Sequence, residues 1–275
     1  RLEYRGYDSV GYADVEGNVE KDVGEISKFI DSIEDSVTSC AISHTRWPTH
    51  GGVTKAISHP HWDCNKNIFT VHNGIIENYE ELKKELISKG HVFITETDSE
   101  VISHFFEEEL KTKSIIDAIK NFIKRIEGTY AVLIIEKGKN RIYAIKKDSP
   151  LVLGLANDRF YLASDIYAFS DMTNKAIFFE DEEFSVIDPD KYTFYDASGK
   201  EVKKETYEFT WAISQEESVQ HYPHYMLKEI HEQPMAAQRL INSLDGEQHD
   251  KVNKIANLIK NSKRVVFTAA GSSSQ

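Results

Sequence analysis

Four short clusters within the first hundred residues hold most of the side chains able to do chemistry. They are Leu2-Glu3-Tyr4-Arg5-Gly6-Tyr7-Asp8-Ser9, His44-Thr45-Arg46-Trp47-Pro48-Thr49-His50-Gly51, Val71-His72-Asn73-Gly74-Ile75-Ile76-Glu77-Asn78 and Thr95-Glu96-Thr97-Asp98-Ser99-Glu100. Together they supply what is needed to hold a zwitterionic amino acid and attack its side-chain amide. Arg46 can clamp an α-carboxylate with two parallel hydrogen bonds. Asp98 can pair with an α-ammonium group. The Asn73 side-chain amide and the Gly74 backbone N–H can form an oxyanion hole, and glycine lets the backbone approach the reacting carbonyl closely. No nucleophile-and-base pair is apparent within these clusters.

Each reading has a plainer rival. Arg46 alone is more often half of a surface ion pair, and Asp98 can also cap a helix. Asn73-Gly74 by itself is a hairpin signal, against which stand the flanking Val71-His72 and Ile75-Ile76. His44, His50, His59, His61 and Cys64 invite a metal reading, but their spacing fits no standard zinc pattern, and no metal is expected. The acidic run Glu107-Glu108-Glu109 reads as a solvated helix face, and Cys40 as a small buried apolar residue.

The elements that position these clusters follow from periodicity. The stretch from Ser39 to Asn78 reads as short strands joined by elaborate loops. Asn78 to Glu81 suggests a capping box, with Tyr79, Leu82, Leu86 and Ile87 inward and Gly90 as the stop. Thr97 or Asp98 would cap a second helix whose inward stripe is Val101, Ile102, Phe105, Phe106 and Leu110. A third runs from Ser114 to Ile126. From Thr129 the period becomes that of strands, at 130–135, 141–145, 151–155, 160–163, 176–179, 184–187 and 193–195. A polar stretch, Ser214 to Ser218, then separates helices beginning near His224 and spanning 248–261. The pattern is α+β, with sheets packed together and covered by helices.

Composition narrows the functions. The chain of 275 residues carries a formal net charge of −12 with its basic residues scattered, which repels nucleic acid and anionic membranes. No apolar run is long enough to cross a membrane. Two cysteines give no disulfide framework and suit a reducing, cytoplasmic compartment. The start on Arg1 and the close on Val265-Val266-Phe267 running into Gly271-Ser272-Ser273-Ser274 read as a fragment at both ends.

The four clusters resemble those of the class II glutamine amidotransferases, and their wording is similar to the glucosamine-6-phosphate synthase family. His224-Tyr225-Met226-Leu227-Lys228-Glu229-Ile230-His231-Glu232-Gln233-Pro234 resembles that family's link between domains, and Ala270-Gly271-Ser272-Ser273 its first sugar-phosphate loop. The resemblance implies an N-terminal nucleophile hydrolase αββα sandwich over 1–212, a helical linker over 213–262, and the first strand of a sugar isomerase α/β domain over 263–275. It implies that Arg46, Thr49, His50 and Asp98 bind L-glutamine, that Asn73 and Gly74 form the oxyanion hole, that Arg5 positions the nucleophile and that Trp47 gates ammonia. Ser272 and Ser273 would contact the sugar phosphate, fructose 6-phosphate. The family nucleophile is an N-terminal cysteine whose own amine is the base, so it is expected upstream of Arg1, and the chain as printed is expected to be inactive. Pro48 stands where the family has a small residue and should stiffen the glutamine loop. No cofactor is implied, and the full-length parent is expected to be a homodimer. The rival classes are a non-catalytic glutamine-binding module and an amidotransferase with another acceptor.

Overall fold

The computed structural model describes residues 2, 6, 8–24, 26–33, 38–46, 54–210, 222, 225–246 and 248–266. Arg5, Trp47, Pro48, Thr49, His50, Ser272 and Ser273 lie outside them, as does the polar stretch from Ser214 to Ser218. The chain divides into two compact units, Arg1–Trp211 and Ala212–Gln275.

In the first unit the described strands form three sheets, and every pairing is antiparallel. A small sheet has the order β2 (Val19–Val23), β1 (Ser9–Asp14), β3 (Ala41–Arg46), with helix α1 (Ile26–Ser32) between β2 and β3 in sequence. The large sheet begins at β4 (His61–Trp62) and β5 (Ile68–Ile76). It continues through β6 (Gly128–Glu136), β7 (Ile142–Lys147), β11 (Phe184–Ile187), β12 (Tyr192–Tyr195) and β13 (Glu201–Val202). The third sheet joins β9 (Phe160–Ala163), β8 (Val152–Leu155), β10 (Lys175–Phe178) and β14 (Tyr207–Glu208).

Strand alternation sorts the large sheet into two faces. On one, Ile68 and Ile76 of β5 and Tyr130, Val132 and Ile134 of β6 pack under α2 (Tyr79–Ser88), α3 (Glu100–Glu109) and α4 (Ile115–Arg125). On the other, Phe69, Val71 and Ile135 meet Ala13 and Ile42 of the small sheet, while Ala131 and Ala144 meet Leu153 and Ile177 of the third. The unit is thus a helical layer, a long sheet and a second layer of sheet. On the outer side of the small sheet, Phe29 of α1 meets Tyr12 edge-on at 6.4 Å. A mixed α/β architecture with sheet packed on sheet is what the sequence implies.

The helices follow their apolar stripes. Val101, Ile102, Phe105 and Phe106 are buried on α3, and Ile119, Phe122 and Ile123 on α4. Ser114 caps α4 by accepting from the Asp117 N–H at 3.2 Å. Several local expectations change. Asn78 makes no capping bond, because its amide is taken by the Arg125 carbonyl (2.9 Å) and the Glu127 N–H (3.1 Å). Ser99, not Thr97 or Asp98, occupies the cap position of α3, without a side-chain cap. Ile87 is 51% exposed, since α2 buries only Leu82 and Leu86. The run Glu107-Glu108-Glu109 is no solvated face: Glu109 is buried, bonded to Lys113 and Asn121, and Glu107 and Glu108 both bond His91. Strands β1 and β2 are not legible in the sequence.

The second unit contains α5 (Tyr225–Asp245), which runs through Pro234, and α6 (His249–Asn261). Ile230, Leu240, Ile255 and Leu258 on these helices are exposed. No helix among the described residues is long and apolar enough to cross a membrane.

Candidate functional site

Arg46 and Asn73 reach the site by the same device. On β3 the alternation that sends Ile42 into the gap between sheets sends His44 and Arg46 the same way. On β5 it sends Phe69, Val71 and Asn73 into that gap from the opposite side, while Thr70 and His72 turn toward α3. Arg46 is 8% exposed. Burial pushes its guanidinium below the ordinary value, and the charges of Asp98 and Asp8 oppose that shift. The Asn73 side chain has no hydrogen-bond partner among the described residues and is free to donate into the gap.

Gly74 lies within β5, opposite Tyr130 of β6, with pairing continuing on both sides, so Asn73-Gly74 is not a turn. Its φ is +140°, and a Cβ there would lie 2.0 Å from the Thr129 carbonyl oxygen. Only glycine fits this place.

Asp98 lies just ahead of α3. Its Oδ2 accepts the Ile76 N–H at 2.8 Å and its Oδ1 the Ser99 hydroxyl at 3.3 Å, which ties the start of α3 to the end of β5. The preceding turn is held by buried Glu100, which accepts from the N–H groups of Ile94 (2.8 Å) and Thr95 (2.7 Å) and from the Thr95 hydroxyl (2.6 Å).

Four histidines lie around this gap, His59, His61 and His72 buried and His44 half-buried. His44 stacks on His59 with centroids 4.3 Å apart, and His59 meets His61 edge-on at 4.7 Å. His59 Nδ1 accepts the His72 N–H at 3.2 Å, and His72 Nδ1 meets the Ser99 hydroxyl at 2.9 Å. Burial pushes His44 and His61 down to about 3 and also holds His59 and His72 below the ordinary value. These shifts favour neutral imidazoles, so His44, His59 and His61 add little positive charge near Arg46. The segment carrying His59 and His61 is anchored by Lys21, whose Nζ donates to the carbonyls of Ala56 (3.0 Å), Ser58 (2.8 Å) and Pro60 (3.1 Å). Desolvation lowers the Lys21 amine to about 8.

Arg46, Asn73, Gly74 and Asp98 all line one cavity of about 1010 Å³, with Leu151 and Ala163 contributing the third sheet's wall. Such a cavity is ample for a small amino acid, and its polar groups converge from separate elements. Neither cysteine lines it.

Comparison with known proteins sharpens this picture. A family model described as a glutamine amidotransferase domain matches residues 53–171. The glutamine–fructose-6-phosphate aminotransferase (isomerizing) of Sulfurisphaera tokodaii is 43% identical over 281 residues, covering 99% of this chain and 47% of that protein. Its namesake from Thermococcus kodakarensis is 39% identical over 281 residues, covering 99% and 46%. Among solved structures, the glutamine phosphoribosylpyrophosphate amidotransferase of B. subtilis, complexed with ADP and GMP, has a TM-score of 0.61 at 25% identity, covering 73% of this chain and 45% of that one. The chain spans about half the length of the curated relatives it matches.

The fold, the cavity and these likenesses together define a glutamine amidotransferase domain, of the N-terminal nucleophile hydrolase type. Within that class the chain carries a class II glutamine amidotransferase domain similar, over nearly its whole length, to that of the glutamine–fructose-6-phosphate aminotransferases.

Proposed function

We propose that this chain supplies the glutamine-hydrolysing half of an enzyme that moves the amide nitrogen of glutamine to fructose 6-phosphate, giving glutamate and glucosamine 6-phosphate. The observation that carries the reading is the convergence of Arg46, Asp98, Asn73 and Gly74 on one cavity. Arg46 holds the α-carboxylate of glutamine and Asp98 its α-ammonium group. A cysteine thiolate at a mature N-terminus attacks the side-chain amide carbon, with its own α-amine taking and returning the proton. The oxyanion of the tetrahedral adduct is met by the Asn73 amide and the Gly74 N–H. Ammonia leaves, and water cleaves the resulting thioester to glutamate. Arg5, Trp47, Thr49 and His50 take the roles the resemblance implies: orienting the nucleophile, gating ammonia and closing over glutamine.

In this reading the first unit is the glutaminase domain. The second is the linker followed by the opening strand of a sugar isomerase domain, with Ser272 and Ser273 in its phosphate loop. The exposed apolar residues of α5 and α6 suit helices that pack against further chain. The whole protein works in the cytoplasm as a homodimer. Cys40 and Cys64 are internal, carry no free α-amine and do not line the cavity, so neither serves as the nucleophile in this scheme.

The test is a calorimetric titration of L-glutamine into the 275-residue chain, paired with an assay of glutamate release by the full-length protein. The expected result is binding without turnover by the first and release by the second, both lost in Arg46→Ala. Binding that persists unchanged in Arg46→Ala would remove the carboxylate clamp from the scheme.

A further inference from the structure

Outside that cavity, three parts of the fold bring unlike side chains together. Cys64 sits in the turn between β4 and β5, His91 follows the end of α2, and His104 and Glu107 are one helical turn apart on α3. One ligand atom from each lies within 4.8 Å of every other. Cys64 Sγ is 3.8 Å from His91 Nδ1 and 3.6 Å from His104 Nδ1. Glu107 Oε2 is 2.8 Å from His91 Nδ1 and 3.2 Å from His104 Nδ1. Zinc bonds of about 2.3 Å to sulfur and about 2.0–2.1 Å to nitrogen or oxygen give tetrahedral edges of about 3.3–3.6 Å. These four separations fall within about half an ångström of such edges.

Hydrogen bonding alone accounts poorly for the arrangement. Both ring nitrogens of His91 face carboxylates, Nδ1 toward Glu107 and Nε2 toward Glu108 at 3.0 Å, and carboxylates only accept. Two carboxylates thus converge on one ring whose side chain is 2% exposed. His104 repeats the pattern: Nδ1 faces Glu107, and buried Nε2 lies 3.6 Å from Glu100 Oε1 without a hydrogen-bond partner. Neither Glu100 nor Glu107 forms an ion pair with Lys or Arg among the described residues. A cation on the two Nδ1 atoms resolves the conflict. Each ring then needs only its neutral form, with the single proton on Nε2 directed at Glu108 or Glu100, the outer carboxylates that orient metal-binding histidines.

We propose that Cys64, His91, His104 and Glu107 form a four-ligand site for one zinc-class divalent cation. The mixed sulfur, nitrogen and oxygen donors select zinc over magnesium or calcium, and the exposure of Cys64 provides an entry path. The thiol gives up its proton on binding. With all four positions filled by protein, the ion is structural. It clamps the β4–β5 turn and the end of α2 to α3, and so stiffens the strand and helix that present Asn73, Gly74 and Asp98. The site stands independently of any activity in the cavity.

The 275-residue chain, stripped with a chelator, is titrated with zinc chloride against a chromophoric competitor and separately loaded with cobalt(II). One zinc per chain is expected, with a higher unfolding temperature. The cobalt form should show intense visible bands of a tetrahedral site and a thiolate-to-cobalt band in the near ultraviolet. Cys64→Ser and His91→Gln should each weaken zinc by at least about 10-fold, and Cys64→Ser should erase the thiolate band. Cys40→Ser should change neither. No stoichiometric uptake by the unsubstituted chain, or unchanged affinity in the correctly folded Cys64→Ser variant, would overturn the proposal.

Discussion

Gly74 and Thr129 approach so closely across the β5–β6 ladder that a Cβ on the glycine would lie 2.0 Å from the threonine's carbonyl oxygen. The contact is backbone against backbone, so no side chain can rotate away to relieve it. Gly74→Ala should therefore cost at least about 2 kcal/mol, from strain at φ +140° and displacement of β6. Urea unfolding of the two proteins measures this directly, and a variant of unchanged midpoint would show that the strands separate more easily than their packing implies.

Asp98 combines a structural bond with a charge, and the two can be separated. Asp98→Asn keeps an oxygen to accept the Ile76 N–H and removes the negative charge facing the cavity. Glutamine binding should fall about 10- to 100-fold, the usual worth of a charge-assisted bond, while the unfolding midpoint shifts little. Calorimetry alongside urea unfolding distinguishes this from a purely structural role, which would move the midpoint and spare the affinity.

The histidine group makes the fold sensitive to acid. His44 is held down at about 3 against an ordinary 6.5, so the unfolded chain binds the extra proton between those values. The stability it contributes is complete above about pH 6.5 and is lost as pH falls toward 3. Its Nδ1 is buried without a hydrogen-bond partner, so His44→Phe should leave stability at neutral pH unchanged or raised. Between neutrality and about pH 5 the variant should lose less stability than the unsubstituted protein. Unfolding midpoints across that range provide the comparison.

A second titration lies at the far end of the helical layer. Hydrogen bonds from Arg125 and Lys89 hold Glu85 down from its ordinary 4.5 to about 2, with Arg125 Nη2 at 2.5 Å. The pair joins α2 to the last turn of α4. Glu85→Gln should lower the unfolding temperature above about pH 4.5, and the difference should vanish as pH falls through 2. Scanning calorimetry over that interval tests the sign, and the effect should shrink with salt because both side chains are a third exposed.

The helices and most strands were readable because burial leaves a period. The stripe Val101, Ile102, Phe105 and Phe106 determines how α3 rolls onto the sheet, and the glycine turns at Gly138 and Gly199 mark the ends of paired strands. Strands β1 and β2 left no such mark: one contains Gly11, the other is Val-Glu-Lys-Asp-Val with only Lys21 buried, and both depend on neighbours. Helix caps failed for a related reason. Asn78 and Asp98 spend their side chains on Arg125, Glu127 and Ile76, partners that local spacing cannot reveal. The convergence of Arg46, Asn73, Gly74 and Asp98 was legible as chemistry before it was visible as geometry. The grouping of Cys64 with His91, His104 and Glu107 was not, because a pattern spread over three elements has no characteristic spacing.

Lys21 carries one more implication. An amine lowered to about 8 is largely unprotonated in mildly alkaline buffer and should be an unusually good nucleophile toward acylating reagents. Yet its Nζ is roofed by three carbonyl oxygens and the Trp62 ring at 4.4 Å, so no reagent reaches it while that lid is shut. Its labelling is therefore a clock. The rate at which Lys21 is modified, set against that of the exposed lysines, counts how often the segment from Ala56 to Pro60 lifts away from the small sheet.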